Sequence, residues 1–397
     1  MVCTKFANKE CSMKKKFFIL IFGCCCCCNQ QQPKTSLITY NIEKALDMEN
    51  KIVWLDSICD SITIIPLETS EEILIGKFHR AYLHNDLLFI LHDNKCSVFD
   101  LTGKYLRNIG KLGQGPGEYN SIESIFFNNE KIYINEFSGN RFFCYTLDGE
   151  FINKIQVSTN FENITFIDEN VVVGFVYPFP NNLNRIIFFN KNGDYIDSVS
   201  HSEQYDSKKN GFSQSDGRFF SFNGNKYLKE GYNDTVFRVE KKFNLYPEYI
   251  INTGKYTVTY KDRIEWEDKY EKGKTINVYY ESDDHIILKE SRSFKYDYIF
   301  IEKQSATIDK VRFYYNDEIC KHFLKEIEYA KIPAAINIPD EMYISGGDIK
   351  RHPLMIDDGS PSFEILYVSE DNMTLVGKEK PLNIDDNPVI VLVHLKQ

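Results

Sequence analysis

The chain has little of what helical proteins are built from. Among 397 residues there are seven alanines, against 30 Phe and 25 Tyr. That balance disfavours a helical bundle and favours strands, on whose pleated surface large rings pack well. Long apolar runs are missing too. The stretch from Phe17 to Cys28 covers only 12 residues, too short for a helix to span a bilayer. Positive charge is in deficit, 47 Lys and Arg against 57 Asp and Glu for a net charge of −10, which argues against a nucleic-acid-binding surface. There is no G-x-S-x-G elbow and no H-E-x-x-H motif, so the common serine-hydrolase and zinc-protease signatures are absent. The eight histidines are scattered. His84 and His92 sit near Asp86 and Asp93, and Asp283-Asp284-His285 is compact, but none has ligand spacing. No metal and no cofactor is expected.

What the chain does have is a repeat. Asp93-Asn-Lys-Cys-Ser-Val-Phe-Asp-Leu-Thr-Gly-Lys-Tyr-Leu-Arg-Asn-Ile-Gly110 is answered by Gly139-Asn-Arg-Phe-Phe-Cys-Tyr-Thr-Leu-Asp-Gly-Glu-Phe-Ile-Asn-Lys-Ile155, and again by Leu183 to Val199. Each copy reads strand, tight polar-Gly turn, strand. The turn glycines are Gly103, Gly149 and Gly193, spaced 46 and 44 apart. A period of that size built from hairpins marks a β-propeller blade. Continuing the pattern gives six units. The fourth falls over 219–252, the fifth over 275–313 and the last over 362–395. The strand Ser61–Leu67, ahead of the first unit, is free to complete the last; Glu72–Phe78 reads as the next strand, and Thr374–Lys378 as a strand of the last unit. The expected fold is all-β: a six-bladed propeller of four-stranded antiparallel blades, its ring closed by an N-terminal strand so that no sheet edge is exposed. Two stretches interrupt the pattern. Lys255–Lys274 reads as a loop with a short helix, and within 316–359 Ile319, Phe323 and Ile327 recur at helical spacing.

Residues 1–28 stand apart. Met13-Lys-Lys-Lys-Phe-Phe-Ile-Leu-Ile-Phe-Gly-Cys24 has a basic start, a short apolar run and a small residue before cysteine. That is a secretory leader ending in a lipoprotein-type box, with Cys24 as the lipidated residue or a neighbour in the run Cys24–Cys28. The alternative, a cysteine-rich metal tract, is disfavoured because five adjacent thiols cannot converge tetrahedrally on one ion. Loss of residues 1–23 removes five lysines and one glutamate, so −10 becomes −14. So acidic a chain is repelled by anionic membrane, and the lipid must hold it there. Residues 29–50 read as a tether and 51–397 as the propeller. Of the remaining cysteines, Cys96 and Cys144 fall on the same strand of adjacent units; two buried free thiols fit that placement better than a bridge.

Three segments carry a resemblance. Gly113-Gln-Gly-Pro-Gly-Glu-Tyr119, Tyr232-Asn-Asp-Thr-Val-Phe-Arg-Val239 and Asn387-Pro-Val-Ile-Val-Leu-Val-His-Leu-Lys396 resemble signature segments of a largely uncharacterised six-bladed β-propeller lipoprotein family of anaerobic Gram-negative bacteria, related to NHL-repeat propellers. The resemblance implies that fold and the cell envelope, with the outer membrane facing the periplasm as location. It implies no activity. It weakens between Asn316 and Gly359.

Strand order places candidate residues. In an up-and-down blade the loops between blades and those joining strands two and three share a face, opposite the Gly103, Gly149 and Gly193 turns. That face collects His92, Asp93 and Lys95; Asn135, Glu136, Asn140 and Arg141; Arg185; and Asn233 and Asp234. Such residues suit hydrogen bonding to a polar ligand, although Asn and Asp are also simple turn formers. Tyr177, Phe179 and Tyr232 lie near the same face, as sugar-stacking rings or as inter-blade core. Gly113-Gln-Gly-Pro-Gly117 lacks the third glycine of a dinucleotide fingerprint and the Lys of a P-loop, so its glycines serve a sharp turn. The expectation is a monomeric envelope protein that binds a glycan, a peptide or a protein partner and touches membrane only through its lipid. The rival is a propeller enzyme using the funnel: a carbohydrate-active hydrolase or lyase, or a metal-dependent lactonase.

Overall fold

In the computed structural model the described residues are 37–54, 57, 59–76, 78–136, 140–159, 161–176, 184–201, 217–264, 271–290, 298–314, 333–334, 349–356, 363–368, 387 and 389–395. The three turn glycines of the repeat share one backbone conformation, with φ of 86°, 89° and 91° at Gly103, Gly149 and Gly193. Each donates its N–H to the carbonyl three residues earlier, at 3.0 Å from Asp100, 3.0 Å from Thr146 and 2.9 Å from Asn190. Gly103 is fixed for a second reason: a Cβ there would lie 2.0 Å from the Pro66 carbonyl oxygen. The turns join Lys95–Asp100 to Tyr105–Asn108, Arg141–Thr146 to Phe151–Gln156, and Asn184–Asn190 to Tyr195–Ser200. Register shifts at Val98/Phe99, Cys144/Tyr145 and Phe188/Phe189 place the same β-bulge in each hairpin.

Each hairpin is the outer half of a four-stranded antiparallel unit. Ser124–Asn128 and Lys131–Asn135 complete one sheet; Phe161–Phe166 and Val171–Val176 complete the next. Gly217–Phe222, Asn225–Glu230, Thr235–Glu240 and Asn244–Asn252 form a further sheet, as do Ile276–Glu281, His285–Glu290, Tyr298–Glu302 and Thr307–Tyr314. The first strands of these sheets neighbour one another in turn, so the sheets radiate from an axis. This is a β-propeller of mainly four-stranded antiparallel blades. Its core is a set of layers between blades rather than one central nucleus. Phe126, Phe142, Phe161 and Phe189, for example, fill one layer, and Val173, Phe188, Leu228 and Val239 fill another.

The expected six separate blades are gathered in five sheets. One sheet has eight strands, in the order Cys59–Pro66, Val389–Leu395, Phe363–Val368, Ile349–Ile356, Phe78–His84, Leu87–His92, Lys95–Asp100 and Tyr105–Asn108. Its two halves join through a parallel ladder, Leu354↔Ala81 to Ile356↔Leu83. Because backbone hydrogen bonds run straight across, the last and first units are one sheet. Cys59–Pro66 does pair with the last strand, Ile390 opposite Ile65 and Leu392 opposite Thr63. Where a strand is expected from Glu72, Ser70–Ile73 form a turn closed by their mutual hydrogen bonds, and the strand starts at Phe78. Lys255–Lys274 contains the expected short helix, Tyr260–Ile264. The helical reading at Ile319, Phe323 and Ile327 and the strand read at Thr374–Lys378 lie outside the described residues, as does the leader. Cys96 and Cys144 are buried free thiols.

The expected tether is partly folded. Ile38–Asn41 adds in parallel to the outer strand Asn244–Asn252, and Lys51–Trp54, at the start of the expected propeller, adds in parallel to Thr307–Tyr314. Between them, Tyr40, Ile42, Ala45 and Leu46 are buried in the layer that also holds Val236, Val278, Ile286 and Leu288. Alternate burial over so few residues is too faint a signal to read as structure from sequence.

Candidate ligand-binding face

The loops predicted to share a face are tied to one another. Asn120, just after the Gly-rich inter-blade loop, donates its N–H to Glu136 Oε1 at 2.8 Å. Val157, just after a fourth strand, donates to the Asn140 carbonyl at 2.8 Å, and Ile251 donates to the Asp234 carbonyl at 2.8 Å. The Gly-rich loop folds on itself. Glu118 accepts from the Gly115 N–H at 2.8 Å and pairs with Lys111 at 2.8 Å, while the buried Tyr119 hydroxyl donates to the Ile109 carbonyl at 3.0 Å. A sharp turn is its role.

In the first loop, the buried His92 ring lies between Asp93 (Nδ1 to Oδ2, 3.0 Å) and Ser97 (Nε2 to Oγ, 2.7 Å). Asp93 also accepts the Gly76 N–H at 2.9 Å. The Ser–His–Asp connectivity has the order of a nucleophile relay. Ser97 nevertheless has no exposed surface and already donates to Asn108 Oδ1 at 2.6 Å, so its hydroxyl is closed to substrate. The network locks the hairpin. Lys95 is exposed at the tip.

The second loop holds an ion pair between Arg141 and Glu136. Glu136 is 1% exposed at its side chain, while Arg141 remains 29% exposed. Asn135 donates weakly to Ser124 Oγ at 3.4 Å. Asn140 takes φ of 47°, and its buried Oδ1 has no hydrogen-bond partner among the described residues.

Arg185 is used differently from what its position predicts. It reaches across to the next sheet, where its Nε donates to Glu230 Oε1 at 2.8 Å and its Nη2 pairs with Oε2. The Tyr260 hydroxyl donates to Glu230 Oε1 at 3.3 Å, and the Arg185 guanidinium stacks 4.3 Å from the Phe237 ring centroid. Arg185 is buried and Glu230 has no exposed surface. This pair is internal framework. Asn233 and Asp234 are framework too: Asn233 Oδ1 accepts the Thr235 N–H at 2.9 Å, and Asp234 accepts from Thr253 and Thr257 hydroxyls at 3.0 Å each. Tyr232 is buried edge-to-face on Tyr260, which makes it inter-blade core. Tyr177 and Phe179 lie outside the described residues. Among the described residues no group of three or more His, Cys, Asp or Glu could hold a metal ion, and no helix is long and apolar enough to cross a membrane.

Sequence reasoning placed Glu230 on this face without singling it out, and missed Ser97 and His201. Glu230 ends the second strand of its sheet, as Glu136 follows the second strand of another, but a partner 45 residues upstream leaves no local spacing to read. His201 follows a fourth strand on this face, edge-to-face with Tyr260 at 5.1 Å, and its buried Nε2 has no hydrogen-bond partner among the described residues. Burial holds the His201 and His92 imidazoles below their ordinary value, opposed in part by Glu230 and Asp93 respectively. A folded-state pKa below the unfolded value of about 6.5 gives stability that is full above that pH and is lost as pH falls through the window beneath it. His201→Phe keeps the ring and removes the titration. The variant is expected to lose less melting temperature than the parent between pH 7.5 and 5.5, the two being compared at each pH by calorimetry.

Comparisons with known proteins agree with the architecture. The family description "Domain of unknown function (DUF4934)" matches residues 37–394. The crystal structure of a Bacteroides fragilis protein whose export is predicted superposes with a TM-score of 0.62 at 16% identity, over 91% of this chain and 100% of that one. That likeness shows a shared fold. A DUF4221 family member from Bacteroides vulgatus is further away, with TM-score 0.46, 12% identity, and 85% and 97% of the two chains covered. So is a catalytically inactive variant of virginiamycin B lyase from Staphylococcus aureus, solved with quinupristin, at TM-score 0.45, 10% identity, and 84% and 100% coverage. Neither carries an inference about activity. No curated protein matches the sequence.

Proposed function

This chain belongs to the DUF4934 family, and we propose that it is an exported, lipid-anchored binding module. Its ligand is polar, a glycan or peptide, taken on the face of the loops between second and third strands. In this reading Cys24 carries the lipid, the outer membrane is the location, and the Cys59–Pro66 strand closes the ring. One observation carries the binding site. Arg141 is held by a buried carboxylate yet keeps 29% of its side chain exposed, a fixed donor at the surface of this face. A fixed, part-exposed donor is preorganised for a ligand hydroxyl or carbonyl oxygen, since its side chain needs little further ordering on binding. The pairing of Arg141 with Glu136 cancels its charge locally, which favours a neutral polar ligand over a polyanion. Lys95 and Asp93 extend the rim.

A thermal-shift screen of the purified mature chain against oligosaccharides, short peptides and Ca²⁺ tests this. A sugar or peptide is expected to raise the melting temperature, because it binds the folded state only. Arg141→Gln is expected to lose that shift. A shift by Ca²⁺ that EDTA removes, with none from sugars or peptides, would support the funnel-enzyme reading in its place.

A further inference from the structure

Five of the twelve exposed large apolar side chains among the described residues fall between residues 37 and 54. Leu37, Ile38, Met48, Ile52 and Trp54 are 38%, 63%, 48%, 62% and 40% exposed, all within the folded N-terminal ribbon. The ribbon cannot turn them inward. Its backbone is committed to parallel ladders on two outer strands, and its inward positions are already filled by Tyr40, Ile42, Ala45 and Leu46. Two of its charged side chains are also engaged with the propeller: Lys51 Nζ sits 2.5 Å from Asp309, and Asp47 pairs with Lys255 at 2.7 Å. An apolar surface held outward by a fixed backbone marks a contact with something else.

The place of the ribbon in the chain identifies that contact. Leu37 follows Cys24 by 13 residues, a length that reaches at most about 45 Å even when fully extended. A lipid on Cys24 therefore keeps the ribbon near the bilayer. Tryptophan and aliphatic side chains are the composition that settles at the boundary of headgroups and acyl chains. We propose that residues 37–54 rest in the membrane interface, with Ile52 and Trp54 entering it. The anchor and the ribbon then act as two signals, one covalent and one apolar, that fix the propeller's orientation on the membrane. This rests on the lipid anchor of the preceding section and adds a contact to it.

The chain holds two tryptophans, so Trp266→Phe leaves Trp54 as the single emitter. The mature lipidated variant is reconstituted into phosphatidylcholine vesicles, whose zwitterionic surface does not repel a chain of net charge −14. Half of the preparations carry bromine on the acyl chains. Trp54 emission is expected to shift to the blue and to be quenched about two-fold by the brominated lipid. Adding Ile38→Asp and Ile52→Asp should remove most of the quenching. Mass spectrometry of the N-terminal peptide separates the two failures. An acylated chain whose Trp54 emission ignores bromine overturns the inference and leaves the anchor standing. A chain with no acyl group anywhere in Cys24–Cys28 overturns the anchor, and the inference with it.

Discussion

Arg185→Ala is expected to lower unfolding stability by about 3–5 kcal/mol, because it strands a carboxylate inside the protein. Glu230 has no exposed surface, and Arg185 supplies two of its hydrogen bonds, one from Nε at 2.8 Å and one from Nη2. The Tyr260 hydroxyl, at 3.3 Å, cannot replace a guanidinium. The loss comes from the exposed consequence of removal rather than from any great net worth of the pair. Replacing both partners with apolar groups of similar shape, Arg185→Met with Glu230→Leu, should therefore recover most of it, since a buried pair roughly offsets its own desolvation. Urea denaturation of the parent, the single and the double variant measures this. A single variant as stable as the parent would mean that Glu230 reaches water, and the framework role would be wrong.

Asn387→Ala should cost about 2–4 kcal/mol, as buried backbone groups lose their partners. The Asn387 side chain accepts the Ile75 N–H at 2.8 Å and donates to the carbonyls of Glu68 at 2.5 Å and Ile73 at 3.0 Å. Its own N–H donates to Thr69 Oγ1 at 2.8 Å. One side chain thus stands in for the strand that the sequence predicted at Glu72–Phe78, stitching that turn to the start of the last strand. The urea midpoint should fall with an unchanged slope, because the surface exposed on unfolding stays the same. A change under about 1 kcal/mol would show that water satisfies the turn as well as Asn387 does.

The parts of the fold that could be read in the sequence are those governed by local chemistry. Turn glycines at φ near 90° leave a compositional mark wherever they occur, and Gly103, Gly149 and Gly193 occur at a blade period. Short continuous apolar runs marked most second and third strands for the same reason, since both faces of these strands are buried. Long-range pairings left none. Nothing in Leu354–Ile356 announces a parallel ladder to Ala81–Leu83, so two expected blades read as separate. Short segments also mislead: Ile38–Asn41 has one buried side chain in four residues and reads as tether. For the site, topology placed the loops on one face, yet residue type could not distinguish roles. Arg141 and Arg185 look alike in sequence, each opening a third strand. One keeps part of its guanidinium at the surface and the other is sealed against Glu230, because only the second has an acidic partner across the blade boundary.

Hydrogen exchange of the mature chain, with and without a ligand from the thermal-shift screen, locates the binding face directly. Slowed exchange is predicted in the loops at 93–95 and 140–141, with no change in the turns at 102–103, 148–149 and 192–193 on the opposite face. Protection confined to those glycine turns, with the second-to-third-strand loops unaffected, would contradict the proposed site.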